Sequence, residues 1–117
     1  MTATARRKTT IVFAGDVGGT QEYEAAYNET SPATTQLQVL ASGNNIITIP
    51  AGATCLTIVK PSDNTVVLAL KGYSGEAVGT GSFPLHPTDT DSISISPDST
   101  TVVIAADGAV TVRLVWS

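Results

Sequence analysis

The chain is predicted to be all-β, an antiparallel β-sandwich or jelly roll of about eight strands. Three observations predict it. Thr, Ser, Val, Ile and Gly dominate the 117 residues. No long window carries an apolar stripe at the helical period. Short runs that alternate apolar with polar residues recur instead, separated by Gly, Pro, Asn and Asp.

The runs follow in order: KTTIVFA (8–14), TTQLQVLA (34–41), NIITIP (45–50), TCLTIVK (54–60), TVVLALK (65–71), DSISIS (91–96), TTVVIAA (100–106) and AVTVRLVW (109–116). Each is rich in β-branched residues, whose restricted χ1 suits a pleated, half-buried surface. The joints carry turn chemistry. Ser42-Gly43-Asn44-Asn45, Pro50-Ala51-Gly52, Pro61-Ser62-Asp63-Asn64, Pro97-Asp98-Ser99 and Asp107-Gly108 offer positive φ or a locked φ where the chain reverses.

Alternation assigns the faces. In the last strand Val110, Val112, Leu114 and Trp116 share the core side, and Val102, Ile104 and Ala106 form the matching set in the strand before it. The short link 106–109 predicts a hairpin between these two strands. Leu56 and Ile58 are expected to face Val66, Leu68 and Leu70 across the Pro-Ser-Asp-Asn turn. Ile46, Val59, Val67, Val103 and Val115 make the second face apolar as well. A strand apolar on both faces is either central in a sandwich or covered by another subunit, so a homo-oligomer, dimer or trimer, is expected.

The expected organisation is a flexible basic N-terminal arm at 1–10 and a single β-sandwich domain at 11–117, with long loops at 15–33 and 72–90. In the first loop Tyr23 and Tyr27 stand at a spacing that fits either a short helical turn or an irregular arm. The second loop is rich in glycine and has no periodicity, which marks a contact element.

The net charge is −4, and Arg6, Arg7 and Lys8 supply half of the six basic residues. The remaining three stand against ten acidic residues in 9–117, a body of net charge −7, which argues against a nucleic-acid-binding face. The chain has no run long enough to span a bilayer and no apolar signal segment at its start, so no membrane partner is expected and assembly in the cytoplasm is. A lone cysteine, Cys55, excludes an internal disulfide and a cysteine-cluster metal site. Within its apolar run it reads as a small packed residue.

One motif suggests chemistry. Phe13–Gln21, FAGDVGGTQ, ends an apolar run in Asp16-x-Gly18-Gly19-Thr20, which resembles the phosphate-binding signature of glucokinase-type sugar kinases. In that family the Asp orients a hydrated Mg²⁺ while the glycines admit nucleotide phosphates, and Gly79-Thr80-Gly81 echoes its second phosphate loop. The family's fold, however, is two α/β halves of about twice this length with helices on both sheets, and no amphipathic helix is readable here. The stretch reads as a strand followed by a glycine turn.

The only histidine, His86, lies in Phe83-Pro84-Leu85-His86-Pro87-Thr88-Asp89-Thr90-Asp91. Catalysis by nucleophile and base would have to use it, and nothing in the sequence sets a carboxylate against its ring. With Asp89 and Asp91 it could clamp a hard cation, but the spacing matches no specific metal loop, so a turn-capping role is expected. No catalytic, cofactor-binding or metal residue is assigned, and the chain is read as not an enzyme.

The segments GNNIITIPAGATCLTIVKPSDNTVVLALKG (43–72), FPLHPTD (83–89) and the closing VRLVW (112–116) resemble a pattern in small proteins encoded among the virion genes of tailed bacteriophages. The resemblance covers about 75 residues and carries no defined site. It implies a bacteriophage virion structural protein, foremost a capsid decoration (cement) protein whose partner is the major capsid protein and whose location is the virion. A tail, neck or fibre component is the alternative within that class, and a carbohydrate-binding β-sandwich the alternative outside it.

Overall fold

The computed structural model describes residues 34–71 and 83–117 throughout, and the backbone of 3–5, 8–13, 19–24 and 28–31. It contains β1 (Ala3–Ala5), β2 (Lys8–Phe13), β3 (Gly19–Glu24), β4 (Asn28–Ser31), β5 (Thr34–Leu40), β6 (Gly43–Thr48), β7 (Cys55–Val59), β8 (Leu68–Lys71), β9 (Phe83–Pro84), β10 (Asp91–Ser94), β11 (Thr101–Ala106) and β12 (Val110–Trp116), with no helix among the described residues. Two antiparallel four-stranded sheets, β10-β7-β12-β5 and β9-β8-β11-β6, make the sandwich. The predicted all-β sandwich is the observed architecture.

Its topology is that of a jelly roll. β5 pairs with β12, β6 with β11, β7 with β10 and β8 with β9. Residues 34–71 therefore lie against 83–116 as one long antiparallel ribbon. The ribbon is wound so that consecutive strands other than β8 and β9 lie in opposite sheets, and the β7–β12 and β8–β11 pairings close the roll. The most distant residues of this domain meet: Thr34 stands opposite Trp116, and Val110 opposite Leu40.

This winding corrects the expected hairpin at 106–109. β11 and β12 lie in different sheets, so the link between them is an arc across the core edge. Its anchor is the residue just before β8: Val67 N–H donates to Asp107 Oδ1 (2.8 Å), and Asp107 N–H to Val67 O (3.1 Å). The Pro61–Asn64 turn is likewise an arc. Leu56 and Ile58 share the core with Leu68 from the opposite layer, with Val66 and Leu70 packed against it, as expected of residues that face one another.

Side-chain amides hold the arcs. Asn45 accepts from Ala41 N–H and donates to Ala41 O, both at 2.9 Å, and to Ile104 O at 3.1 Å, tying the β5–β6 corner to β11. Gly43 beside it has φ 104°, a left-handed conformation that an L side chain rarely adopts. Gly52 does the same at φ 83° in the β6–β7 arc. Buried Asn64 bonds Val66 at both backbone groups and donates to Pro87 O at 2.7 Å, which pins the 85–90 arc to the 61–67 arc.

All eight predicted runs are strands, with bounds shifted by up to a few residues. β2 is not in the sandwich, whose eighth strand is the two-residue β9 from the expected 72–90 loop. The expected border at residue 10 falls inside β2. The expected 15–33 loop holds β3 and β4, which pair with β2 and β1. GTQEYE and NETS lack alternating apolar residues, so nothing local marks them as strands; their pairing partners do. Tyr23 lies in β3, which removes the helical-turn alternative there; Tyr27 and residues 72–82 lie outside the described residues.

The core is built from Leu40, Ile47, Ile49, Leu56, Ile58, Leu68, Ile104, Val112, Leu114 and Trp116. Val112, Leu114 and Trp116 occupy the predicted core side of β12, and Cys55 is buried and free. Trp116 is fully buried as packing volume, and its indole N–H has no partner among the described residues.

Candidate functional site

Three places could carry function: the arc 85–91, the groove beside it, and the outer faces of the two sheets. In the arc, the His86 ring is turned onto its own backbone. Nδ1 accepts from Thr88 N–H at 3.2 Å and Asp89 N–H at 3.0 Å, the arrangement of a capped turn. The Asp89 carboxylate lies 3.7 Å from the same ring nitrogen, with both side chains mostly in solvent.

Asp91 belongs to a different contact. The Lys60 ammonium, fully buried, donates to Asp89 O and to the Asp91 carboxylate. A lysine thus takes the two oxygens that a bound cation would have claimed, and fixes the start of β10 against the end of β7. The expected turn-capping role of His86 agrees with this geometry. Among the described residues, no group of three or more His, Cys, Asp or Glu is gathered as a metal site would require. Lys60 and Asn64 organise the arc; the sequence marked Asn64 only as a turn residue and Lys60 only as the end of a strand run. Their signal was a polar residue at the end of an apolar run, which more often marks a solvated turn.

The groove lies where β9 and β10 form the open edges of the two sheets. Its volume is about 590 Å³, and Leu70, Phe83, Leu85, Thr90, Asp91 and Ile93 are among its lining. Phe83, 71% exposed, stands at its rim. The groove is apolar at its base and hydroxyl- and carboxylate-bearing along β10.

The outer faces differ from each other. On β6-β11-β8, Val103, Ala105, Ala69 and Lys71 are all buried although they point away from the core. Lys71 stands opposite Val103, and its ammonium donates to Asn44 Oδ1 on β6 at 2.8 Å, so its stem crosses β11 to get there. On β5-β12-β7 the face is open. Leu37 is 68% and Val39 70% exposed, with Val59, half-buried Val115 and Arg113 beside them.

β5 is inverted relative to ordinary amphipathic strands. Gln36 and Gln38 point inward beside Leu114 and Val112, half-buried and bonded to each other at 3.3 Å, while Leu37 and Val39 point to solvent. The phase is set by Leu40, which must enter the core opposite Val110, and a one-residue slip would exchange every side chain between faces. Of the second-face set expected from sequence, Ile46, Val59 and Val67 are exposed and Val103 is covered within the chain. Leu37 and Val39 were missing from that set because the phase of Q-L-Q-V is invisible until its partner strand is known.

The kinase-like motif is resolved only in part. Gly19 and Thr20 are strand residues of β3, in register with Phe13 and Val12, and Asp16 and Gly18 lie outside the described residues, as do Gly79–Gly81. Comparison with family models, with curated proteins and with solved structures gave no match for this chain.

Proposed function

We propose that this chain is a bacteriophage virion structural protein, and within that class a capsid decoration (cement) protein that binds and stabilises the shell of major capsid protein. The observation that carries this reading is the open face of β5-β12-β7, a rigid sheet that spends Leu37 and Val39 on solvent while glutamines turn inward. Apolar residues held on a flat, hydrogen-bonded sheet fit a protein partner better than a small ligand. The jelly-roll topology and the resemblance of 43–117 to phage virion proteins support the same reading. Its work is mechanical: small contacts repeated at symmetry-related positions add by avidity.

Mass spectrometry of purified virions tests it. Copies on the order of hundreds per particle, one or more for each capsomer, are expected of cement. A dozen or fewer would move the protein to the tail, neck or fibre, and absence from the particle would remove the virion reading.

The groove favours a second reading, a carbohydrate-binding module. Phe83 offers an aromatic face beside Thr90, Asp91 and Ser92, a combination suited to stacking on a sugar and bonding its hydroxyls. Titration with a panel of oligosaccharides would support it if Phe83→Ala abolished the heat signal, and an empty panel would set it aside.

A further inference from the structure

We propose that Lys60 and Asp91 are a site of self-catalysed crosslinking, at which the Lys60 amine condenses with the Asp91 carboxyl group into a side-chain amide that ties the end of β7 to the start of β10. This holds whether or not the protein belongs to a virion.

Strand register puts both side chains on the inward face of their sheet. Leu56 and Ile58 enter the core from β7, and Lys60 follows them at the same alternation. Asp91 stands opposite Ile58, and Ile93, two residues on, packs against the core. Lys60 and Asp91 are therefore diagonal neighbours across the β7–β10 pair, in line with apolar residues on both strands. The Lys60 side chain is fully buried, and its Nζ donates to one carboxylate oxygen of Asp91 and to Asp89 O. The Asp91 side chain is 21% exposed and lines the groove between β9 and β10.

Leaving this pair charged is unfavourable. An ammonium and a carboxylate withdrawn from water regain only part of their lost hydration through mutual attraction. Condensation replaces both charges with one neutral amide. It also fixes β10, an edge strand that β7 alone holds in its sheet, in a chain whose lone cysteine allows no internal disulfide. Lys71, the other buried lysine among the described residues, makes the contrast. Its ammonium reaches the exposed Asn44, so its head stays at the surface and no charge pair is buried there.

The reaction balances without a cofactor. Within the bonded pair one proton moves from the Lys60 ammonium to the Asp91 carboxylate, giving an amine and a carboxylic acid. The amine lone pair attacks Asp91 Cγ and a C–N bond forms. One N–H proton then passes to the hydroxyl oxygen, which leaves with its bonding pair as water while the carbonyl is restored. Ammonium and carboxylate thus become a secondary amide and one water, with no change of oxidation state. Asp89 O restrains the amine head, and the carboxylate contact holds Nζ beside Cγ. Groups held in this way react as if at effective concentrations on the order of 10⁵ M or more, which offsets the tendency of dilute amine and acid to stay apart. The groove gives the released water an exit.

Tryptic mapping and intact mass of the full-length chain, on fresh protein and again after a week at room temperature, test the proposal. Trypsin leaves Lys60 uncut because Pro61 follows it, and cleaves after Lys8, Lys71 and Arg113, so residues 9–71 and 72–113 emerge as separate peptides unless an amide joins them. The expected product is the joined pair, one water lighter than the sum of the two, with the branch located at Lys60 and Asp91 by tandem spectra. Lys60→Arg keeps a cation beside Asp91 but supplies no reactive amine, and it should give full mass and separate peptides, as should Asp91→Ser. An unmodified chain still at full mass after the week would overturn the proposal. So would a water lost with the peptides still separate, as dehydration at Asp107-Gly108 would give, or an ammonia lost, which would assign the bond to Lys71 and Asn44. The unmodified chain alone decides among these outcomes, so a variant that fails to fold leaves the test intact.

Discussion

The two outer faces of the roll start from the same kind of sequence and end differently. Both β11 and β12 carry apolar residues on the outward side, Val103 and Ala105 on one and Val115 on the other. On β6-β11-β8 the β8 neighbours Ala69 and Lys71 are buried with them and the Lys71 ammonium reaches across to Asn44, so the chain covers this part of its surface, while Ile46 on β6 stays exposed at its edge. On β5-β12-β7 the outward neighbours of β12 are Leu37 and Val39 on an edge strand; Arg113, opposite Leu37, is itself exposed and does not cover them, and the face stays open. An apolar second face is thus not by itself a docking site. What matters is whether a neighbouring side chain is held down across it, as Lys71 is by its bond to Asn44.

That contrast can be broken or sharpened by substitution, beginning with the core that both faces share. Leu114→Ala, on the inward side of β12, should lower stability by about 2–5 kcal/mol through lost transfer energy and a residual cavity, read as a shift in the denaturation midpoint. A loss under about 1 kcal/mol would mean that the sandwich core is placed wrongly.

On the sealed face, Ala105→Leu should cost about 1–3 kcal/mol, because the Lys71 stem and its neighbours leave no room for a larger side chain. Neutrality there would show that the face is as open as its counterpart. Lys71→Ala should cost about 1 kcal/mol, and Lys71→Met less, since Met keeps most of the apolar stem and loses only the bond to Asn44. Equal losses for the two would assign the effect to the ammonium and contradict the sealing role.

Leu37→Ser on the open face should change the stability of dilute protein by less than about 0.5 kcal/mol, the ordinary range for an exposed position. The smallest expected effect is none: Mg-ATP at millimolar concentration should leave the melting temperature unmoved. A nucleotide-dependent rise would restore the phosphate-binding reading of Asp16–Thr20.

Much of the fold was legible. Alternation located eight strands and the inward set of β12, and glycine and proline placed the joints, Gly43 and Gly52 among them. The N-terminal strand pairs were not legible, because β3 and β4 are polar and are strands only by virtue of what they pair with. Nor was the nature of the joints. A hairpin and an arc use the same short polar link, and only the attachment of Asp107 to Val67 or of Asn64 to Pro87 distinguishes them.

By itself the sequence determined that this chain is a β-protein with strands at given places, because side-chain alternation and turn residues act within a few positions of one another. The tertiary structure decided the roll, the phase of β5 and the difference between the two faces. Each of these depends on pairings such as Thr34 with Trp116, between residues that no local pattern connects. Leu37 and Val39 face solvent because Leu40, on the same strand, is held in the core opposite Val110.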